Sequence, residues 1–273
     1  MKNILIILSL TGLVFYSCEE TTIIDVDQAP SRVVIDAILT DRPDDQRVKI
    51  TRSLDFYAQG FSPALSNASV TVSDDLGTTF NFIESEDEPG LYLPAIPFLG
   101  VVGRTYTLQV DVDGSTYIST ETMMSVTPID SLNSQLNIDE QEDPESPGRI
   151  YEVLMYTVEP QDEENFYLFK FYRNGDIQNE NGEDITVTND VGVDEEIQGI
   201  EAPLFYALND TATVEMYSLT RRSFIYWSDV ANLVFSDGGV FSPLPANPRS
   251  NIEGGALGIF QVSSVSTESI VVQ

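Results

Sequence analysis

The 273-residue sequence contains no histidine, and this absence excludes several kinds of active site. Ser-His-Asp and Cys-His nucleophilic catalysis need an imidazole as general base, and many zinc sites need imidazole ligands. The sequence also lacks the G-x-S-x-G nucleophile motif, the phosphate-binding loop and the dinucleotide-binding fingerprint. The segment G-G-A-L-G at 254–258 does not have the spacing G-x-G-x-x-G. We therefore predict that the protein is not an enzyme.

Basic residues are scarce, with 13 Lys and Arg against 44 Asp and Glu and a formal net charge of −31 at pH 7. Such a charge argues against nucleic-acid binding and against electrostatic adsorption to anionic membranes. Attachment to a membrane would therefore require a lipid. Hydrophobic residues still make up 42% of the chain and aromatic residues 10%, so the acidic protein can build folded cores.

Metal-binding patterns are weak despite the many carboxylates. An EF-hand registered on Gly182 would place Ile177 and Thr188 at the first and twelfth ligand positions, where carboxylates are needed. No metal site and no cofactor are predicted, although an irregular calcium site in the cluster from Asp190 to Glu196 stays open. A pair of carboxylates could serve a glycoside hydrolase without histidine, but the sequence does not single out a pair.

The first residues have the layout of an export signal. Lys2 precedes an apolar run over 4–16, and the run ends in Ser17-Cys18. A charged start, a short apolar middle and a small residue at the cleavage point are typical of a secretory signal. The run is shorter than the ~20 apolar residues that span a bilayer. We therefore interpret residues 1–17 as a signal peptide.

Cys18 is the only cysteine, so it has no disulfide partner within the chain. Its position resembles a bacterial lipoprotein signal in which Cys18 becomes the lipidated N-terminus, although Phe15 and Tyr16 depart from the usual lipobox. An ordinary signal peptide with an incidental cysteine is the alternative. Glu19 and Glu20 follow directly, and such acids resemble the surface-export signal of Bacteroidota-type lipoproteins. We therefore expect a lipid-anchored protein on the outer face of the outer membrane. The alternative is that Glu19 and Glu20 only keep the tether solvated.

Alternating apolar and polar residues predict a mostly β protein with two domains after an acidic tether at 18–30. The clearest strand covers 105–112, and Asp113-Gly114 turns it into a returning strand at 115–122. Asp-Gly favours a two-residue hairpin because both positions need positive φ. Residues 31–128 are predicted to form an immunoglobulin-like β-sandwich. The segments N-A-S-V-T-V-S-D-D-L-G-T, G-L-Y and G-R-T-Y-T-L-Q-V resemble carboxypeptidase-regulatory-like, immunoglobulin-type modules, a likeness that says little about function.

The second predicted domain, 129–273, is β-rich. Its strands are expected at 150–158, 165–173 and 211–219, with Tyr167, Phe169 and Phe171 on one face of the second. Residues 178–196 are polar and acidic and are interpreted as a long hairpin arm or loop.

One amphipathic helix is predicted over 221–235, where apolar residues recur at i, i+3 and i+4. Thr220 is the expected N-cap, and Gly238-Gly239 the expected stop. Arg221 and Arg222 at the positive end of the helix dipole should have a partner elsewhere in the protein. Trp227 is assigned to core packing in preference to a ligand platform.

The residues after the helix carry a more specific resemblance. The order Y-W-S-D-V, F-S-P-L-P-A-N-P, S-N-I and G-G-A-L-G-I-F is similar to the C-terminal signature of Bacteroidota outer-membrane lipoproteins of unknown function. These proteins are commonly encoded beside TonB-dependent receptors, so the resemblance implies such a receptor as partner. The family has no established catalytic residues. Residues 241–252 are expected to lie at the contact, and we predict these partner-binding residues: Phe241, Leu244, Asn247 and Asn251. A structural role for the segment, with prolines that fix φ and glycines that allow close backbone approach, is the alternative.

Three functions stay open. The first is an accessory surface lipoprotein that binds a TonB-dependent receptor and assists ligand capture or gating. The second is a free-standing adhesin that binds glycans or proteins. The third is a carboxylate-dependent hydrolase. Two acids roughly 5 to 10 Å apart in a cleft would favour this function.

Overall fold

A computed structural model describes residues 30–54, 58, 60–137, 147–161, 164–178, 185–192, 195–235 and 246–273. The predicted signal peptide and all of the predicted tether except Pro30 lie outside these residues, as do Cys18, Glu19, Glu20, Phe241, Leu244 and the predicted helix stop. The described residues are mostly β, with one helix, as the sequence predicts. None of their helices is long and apolar enough to cross a membrane.

The strands in chain order are β1 (Val33–Thr40), β2 (Arg47–Arg52), β3 (Ser69–Asp74), β4 (Thr79–Glu84), β5 (Leu91–Pro94), β6 (Thr105–Val112), β7 (Ser115–Thr122), β8 (Ser131–Leu136), β9 (Arg149–Val158), β10 (Phe166–Arg173), β11 (Asp176–Ile177), β12 (Thr186–Asn189), β13 (Glu196–Glu201), β14 (Tyr206–Ala207), β15 (Thr211–Leu219), β16 (Leu257–Ser263) and β17 (Val265–Val271). Helix α1 spans Arg221–Phe235, between β15 and β16.

Eight strands form one sheet in the order β16-β1-β2-β5-β4-β3-β6-β7. All neighbours are antiparallel except β1 and β16, which run parallel. Isolated bridges join Ile118 to Glu253 and Met124 to Ser263, so the far end of the sheet approaches β16. The predicted sandwich strands therefore lie in a single sheet that curls nearly into a barrel, not in two separate sheets.

The core of this sheet includes residues from the C-terminal end of the chain. Ile252, Ala256, Phe260 and Val262 are buried in the same cluster as the inward residues of β1 and β6. The predicted boundary at 128/129 therefore does not separate two independent chain segments. Strand β16 belongs to the first sheet, where it pairs with β1. The sequence does not reveal this pairing, because the two strands lie about 220 residues apart in the chain.

Gly258 makes the close approach of β16 to β1 sterically acceptable. It has φ +98°, and a Cβ atom at this position would lie 2.0 Å from the carbonyl oxygen of Ile35. Only glycine adopts this backbone conformation without strain. One glycine of the C-terminal signature thus has a structural role.

The other strands form a two-sheet sandwich. One sheet has the order β11-β10-β15-β17 with β12 also paired to β10, and the other has β13-β9-β14 with β8 paired to β9. Met155 from one sheet packs with Phe169 and Met216 from the other. The region 178–196, interpreted as a hairpin arm or loop, contains edge strand β12.

Helix α1 has the predicted bounds, and the backbone N–H of Ser223 donates to the Thr220 hydroxyl at 3.2 Å, as expected of an N-cap. The helix covers the outer face of β10 and β15, where Phe224 and Trp227 pack. The indole N–H of Trp227 donates to the buried Gln261 side chain at 2.8 Å. The packing role assigned to this tryptophan is therefore confirmed.

Candidate ligand-binding cavity

A cavity of about 250 Å³ lies between the two sheets of the C-terminal sandwich. Its walls come from β9, β10, β12, β13 and β15. The lining residues are Val153, Met155, Thr157, Glu159, Tyr167, Phe169, Phe171, Thr186, Thr188, Asn189, Asp190, Ile197, Ile200, Glu201, Ala202, Val214 and Met216. Most of this lining is apolar, and the polar groups are concentrated in a few positions.

The period of the strands explains the apolar walls. Tyr167, Phe169 and Phe171 alternate along β10, so all three side chains point from one face of the sheet into the interior. Val214 and Met216 line the cavity from neighbouring β15. The face predicted for β10 from sequence is thus the aromatic wall of the cavity.

A β-bulge shapes the opposite wall. The register between β13 and β9 shifts between Gln198 and Ile200, and Gly199 has φ +78°. Strict alternation would send Ile197 and Ile200 to opposite faces, but the extra residue lets both line the cavity. The lining residues Thr188, Ile200 and Glu201 are exposed, which places the opening between β12 and β13.

A buried carboxyl group closes one end of the cavity. Glu159, which directly follows β9, is only 2% exposed. The hydroxyl of Tyr167 donates to Glu159 Oε1 at 2.5 Å and is itself 2.8 Å from the hydroxyl of Thr127. Asn165 donates through Nδ2 to Asp190 Oδ2 at 3.1 Å and to Glu159 Oε1 at 3.4 Å. Two carboxylates therefore share one amide nitrogen.

Electrostatics make Glu159 the unusual group of the site. Burial raises the pKa of Glu159, the hydrogen bond from Tyr167 lowers it, and the nearby charge of Asp190 raises it, so the net pKa lies above the ordinary value. Burial and the hydrogen bond to Glu159 also raise the pKa of Tyr167. Among the described lining residues there are three acidic side chains and no Lys or Arg. The Glu159 charge thus lacks a basic partner in the cavity wall.

Of the predicted partner-binding residues, the structure describes Asn247 and Asn251, and neither lines this cavity. Asn247 is exposed, as a contact residue should be, and its role stays a prediction. Phe241 and Leu244 lie outside the described residues. Asn251 does not fit the prediction, because it is only 3% exposed.

Asn251 is instead held by the interior of the protein. Its Nδ2 donates to Glu121 Oε1 at 2.9 Å and to the carbonyl of Phe260 at 2.8 Å, and its Oδ1 accepts from the Phe260 N–H at 2.9 Å. The Glu121 carboxylate also accepts from Thr220 and pairs with Arg222 at 3.3 Å. Arg222 therefore has the partner that its place in the helix dipole required, and Asn251 is a structural residue.

Sequence reasoning missed Glu159 and its partner Asn165. The alternation of β10 identified Tyr167 as inward-facing, and Asp190 belonged to the acidic cluster considered for calcium. Nothing local distinguishes Glu159 from 43 other acidic residues, because its burial depends on sheet pairing. In the described part of the chain, no group of three or more acidic or cysteine side chains could hold a metal ion.

Comparisons with known proteins place the chain in a family. The sequence model of a family described as "Domain of unknown function (DUF4249)" matches residues 19–269. The chain belongs to this family. No curated protein matches the chain. The family match covers almost all of the 273-residue chain, and the description of the family names no activity.

One similar solved structure is the crystal structure of a DUF4785 family protein from Legionella pneumophila. The match has 8% sequence identity and a TM-score of 0.21, and it covers 68% of this chain. The DUF4249 chain spans about half of that structure, 52% of its length. A likeness this low carries no argument about fold or function.

Proposed function

We propose that this DUF4249 protein is a lipid-anchored outer-membrane binding protein that holds a small ligand in its C-terminal cavity and assists a TonB-dependent receptor. The observation that carries the binding role is the cavity itself, an apolar space with a few convergent polar groups. Such a site is the usual form of a small-molecule binding site. At about 250 Å³ it is slightly smaller than the ~300–1,000 Å³ of drug-sized sites, which favours a small ligand.

The lipid anchor rests on the sequence. The export signal, the small residue and the single cysteine coincide at Ser17-Cys18. A lipid would confine the protein to the plane of its receptor, which raises the effective concentration of each for the other. Modest contacts between them would then be sufficient for association.

Residues 246–251 are held at two points, which suits them to such contacts. Arg249 donates from its backbone N–H to Asp229 at 3.0 Å and from its guanidinium to both oxygens of the same carboxylate at 2.7 Å. These hydrogen bonds hold the chain near the exposed Asn247 against α1, and the hydrogen bonds of the buried Asn251 hold the C-terminal end of the segment. A segment held in this way loses little conformational entropy on docking.

Site-specific crosslinking in intact cells tests the receptor partnership. A photo-crosslinking residue at position 247 should capture a large outer-membrane barrel, whereas the same residue at exposed position 86 of the N-terminal domain should not. Capture of no barrel from position 247 by a folded, surface-exposed protein would contradict the receptor role and favour the adhesin function.

The lipid anchor has a separate test. Mass spectrometry of the mature N-terminal peptide should find a lipid on Cys18, and Cys18→Ala should give soluble or uncleaved protein without the lipid. An unmodified peptide spanning Ser17 and Cys18 would contradict the anchor.

Glu19→Ala/Glu20→Ala should protect the protein from protease added to whole cells, and equal cleavage of this variant and the wild type would refute the export role.

A hydrolase is the second candidate, because two carboxylates meet at the cavity. Glu159 Oε1 and Asp190 Oδ2 lie 3.4 and 3.1 Å from Asn165 Nδ2, so they are at most about 6.5 Å apart. This upper limit is compatible with the ~5–5.5 Å between the two carboxyl groups of retaining glycoside hydrolases. The mainly apolar walls fit a sugar poorly, so we rank this function lower. Turnover of a glycoside that is lost in both Glu159→Gln and Asp190→Asn would reverse the ranking.

A further inference from the structure

The cavity has different chemistry along its length. Phe169, Phe171 and Met216 form an apolar region, and Glu159 with Asp190 forms an acidic end, while the third acid, Glu201, is exposed at the opening. The two parts are arranged along the strands, since Glu159 follows β9 and Asp190 follows β12. A ligand that fills the space must therefore be apolar over most of its length and polar at one end.

The sign of the polar end follows from the carboxylates. Glu159 is 2% exposed, and the described side chains that donate to its carboxylate, Tyr167 and Asn165, are neutral. A buried carboxylate without a cation is costly, and a ligand that brings a positive charge offsets that cost. A ligand carboxylate or phosphate would instead meet two like charges.

The aromatic wall favours the same ligand. The rings of Phe169 and Phe171 stack with their centroids 6.1 Å apart, next to Tyr167. Aromatic faces attract cations as well as apolar groups. Walls of this kind suit an amine attached to a ring or a short hydrocarbon chain.

We infer that the cavity binds a small apolar molecule that ends in a protonated amine, with the amine placed at the Glu159 carboxylate. This inference rests on the proposed function only in treating the cavity as a binding site. It does not require the receptor, the lipid anchor or any covalent chemistry.

Three ligands of nearly equal size and different charge test the inference. Benzylamine, benzyl alcohol and benzoate are titrated calorimetrically into the full chain in lipid nanodiscs at about pH 8, with empty nanodiscs as reference. Benzylamine should bind about tenfold or more tightly than benzyl alcohol, and benzoate should bind most weakly.

Three variants locate the effect. Glu159→Gln keeps an oxygen that can accept from Tyr167, and it should weaken benzylamine about tenfold while leaving benzyl alcohol within about twofold. Glu196→Gln removes an equal charge from exposed β13 outside the cavity and should change neither affinity. Thr188→Trp at the opening should abolish binding of both ligands.

Each contrary result overturns the inference. Benzoate binding as tightly as benzylamine, equal effects of the two glutamate variants, or no binding of any of the three compounds would do so. The outcome is independent of crosslinking at position 247. If benzylamine binds but position 247 captures no barrel, the ligand class is retained and the receptor role is refuted. If position 247 captures a barrel but benzylamine does not bind, the receptor role is retained and the ligand class is refuted.

Discussion

Two buried glutamates in this protein have opposite electrostatic environments. Glu215 lies on the outer face of β15 at the junction with the N-terminal sheet and is 9% exposed, and Glu159 lies at the cavity end and is 2% exposed. Both accept hydrogen bonds from tyrosine hydroxyls. They differ in their charged neighbours, since Glu215 has an arginine and Glu159 has another carboxylate.

The pKa values reflect this difference. Burial acts to raise the pKa of Glu215, but hydrogen bonds from Tyr217, Arg42 and Tyr172 outweigh it, and the net pKa is lowered. Arg42 Nη1 lies 2.6 Å from Glu215 Oε1. Glu159 has no such cation, and its pKa is raised. The comparison indicates that Glu215 joins the two halves of the molecule, whereas Glu159 has no cation near it in the described part of the protein, as the proposed amine site requires.

The largest expected effect comes from removing the cation at the junction. Arg42→Met should lower the free energy of unfolding by about 2 kcal/mol, because it leaves Glu215 buried without its partner. The estimate is below the usual range for buried pairs because the Arg42 side chain is 31% exposed. Urea denaturation measures the loss.

Arg52→Met is the matched control for Arg42. Arg52 pairs with Asp113 where the two side chains are 35% and 52% exposed, and its loss should cost less than about 0.5 kcal/mol. Equal losses in the two variants would contradict a special role for the junction pair.

Neutralising each glutamate should separate the two regions. At about pH 8, Glu215→Gln should lower the free energy of unfolding by about 1–2 kcal/mol, because it weakens charge-assisted hydrogen bonds from Arg42 and two tyrosines. Glu159→Gln should leave stability unchanged or raise it, because the buried charge lacks a cation. Chemical denaturation of both variants provides the measurement. A larger loss in Glu159→Gln than in Glu215→Gln would reverse the comparison.

Removing single tyrosine hydroxyls should have smaller effects. Tyr167→Phe should cost about 1 kcal/mol, since this hydroxyl serves both Glu159 and Thr127. Tyr172→Phe should cost about half as much, because Tyr217 and Arg42 still donate to Glu215. The free energies of unfolding of the two variants, measured side by side, test this order. A larger loss in Tyr172→Phe than in Tyr167→Phe would contradict it.

The smallest effect is the pH dependence due to Glu159 itself. Because its folded-state pKa is raised, its contribution to stability is fully present below the unfolded value of ~4.3 and is lost as pH rises through the folded pKa. Wild-type stability minus that of Glu159→Gln should therefore fall as pH increases above ~4.3. Wild-type stability minus that of Glu215→Gln should instead rise as pH increases, since the lowered pKa of Glu215 contributes stability above its unfolded value. Denaturation series of all three proteins from acidic to neutral pH test both slopes.

Local patterns predicted many individual elements. The hairpin of β6 and β7 has the predicted bounds and turn, because Asp113-Gly114 and the alternation around it act over a few residues. Helix α1 was predicted with the correct bounds because its apolar period and its N-cap Thr220 are also local. Short edge strands such as β12 were missed, since their sequence is polar and only pairing with β10 makes them strands.

The candidate site was less accessible from sequence. The inward face of β10 followed from its alternation, but the acidic end of the cavity did not. The polar side chain of Asn251 and the prolines and glycines around it predict a surface contact, which the structure contradicts. Its burial results from contacts with Glu121 and Phe260, the first of which lies 130 residues away.

The sequence by itself determined the β-rich character, the single helix, the hairpin turns and the absence of histidine chemistry, since these depend on residue type and short-range periodicity. Tertiary structure alone decided that β16 joins the first sheet and that Glu159 closes a cavity whereas Glu215 joins two halves. The physical reason is that burial and charge pairing act between residues far apart in the chain. Two glutamates that look identical in sequence therefore acquire different pKa values and different uses.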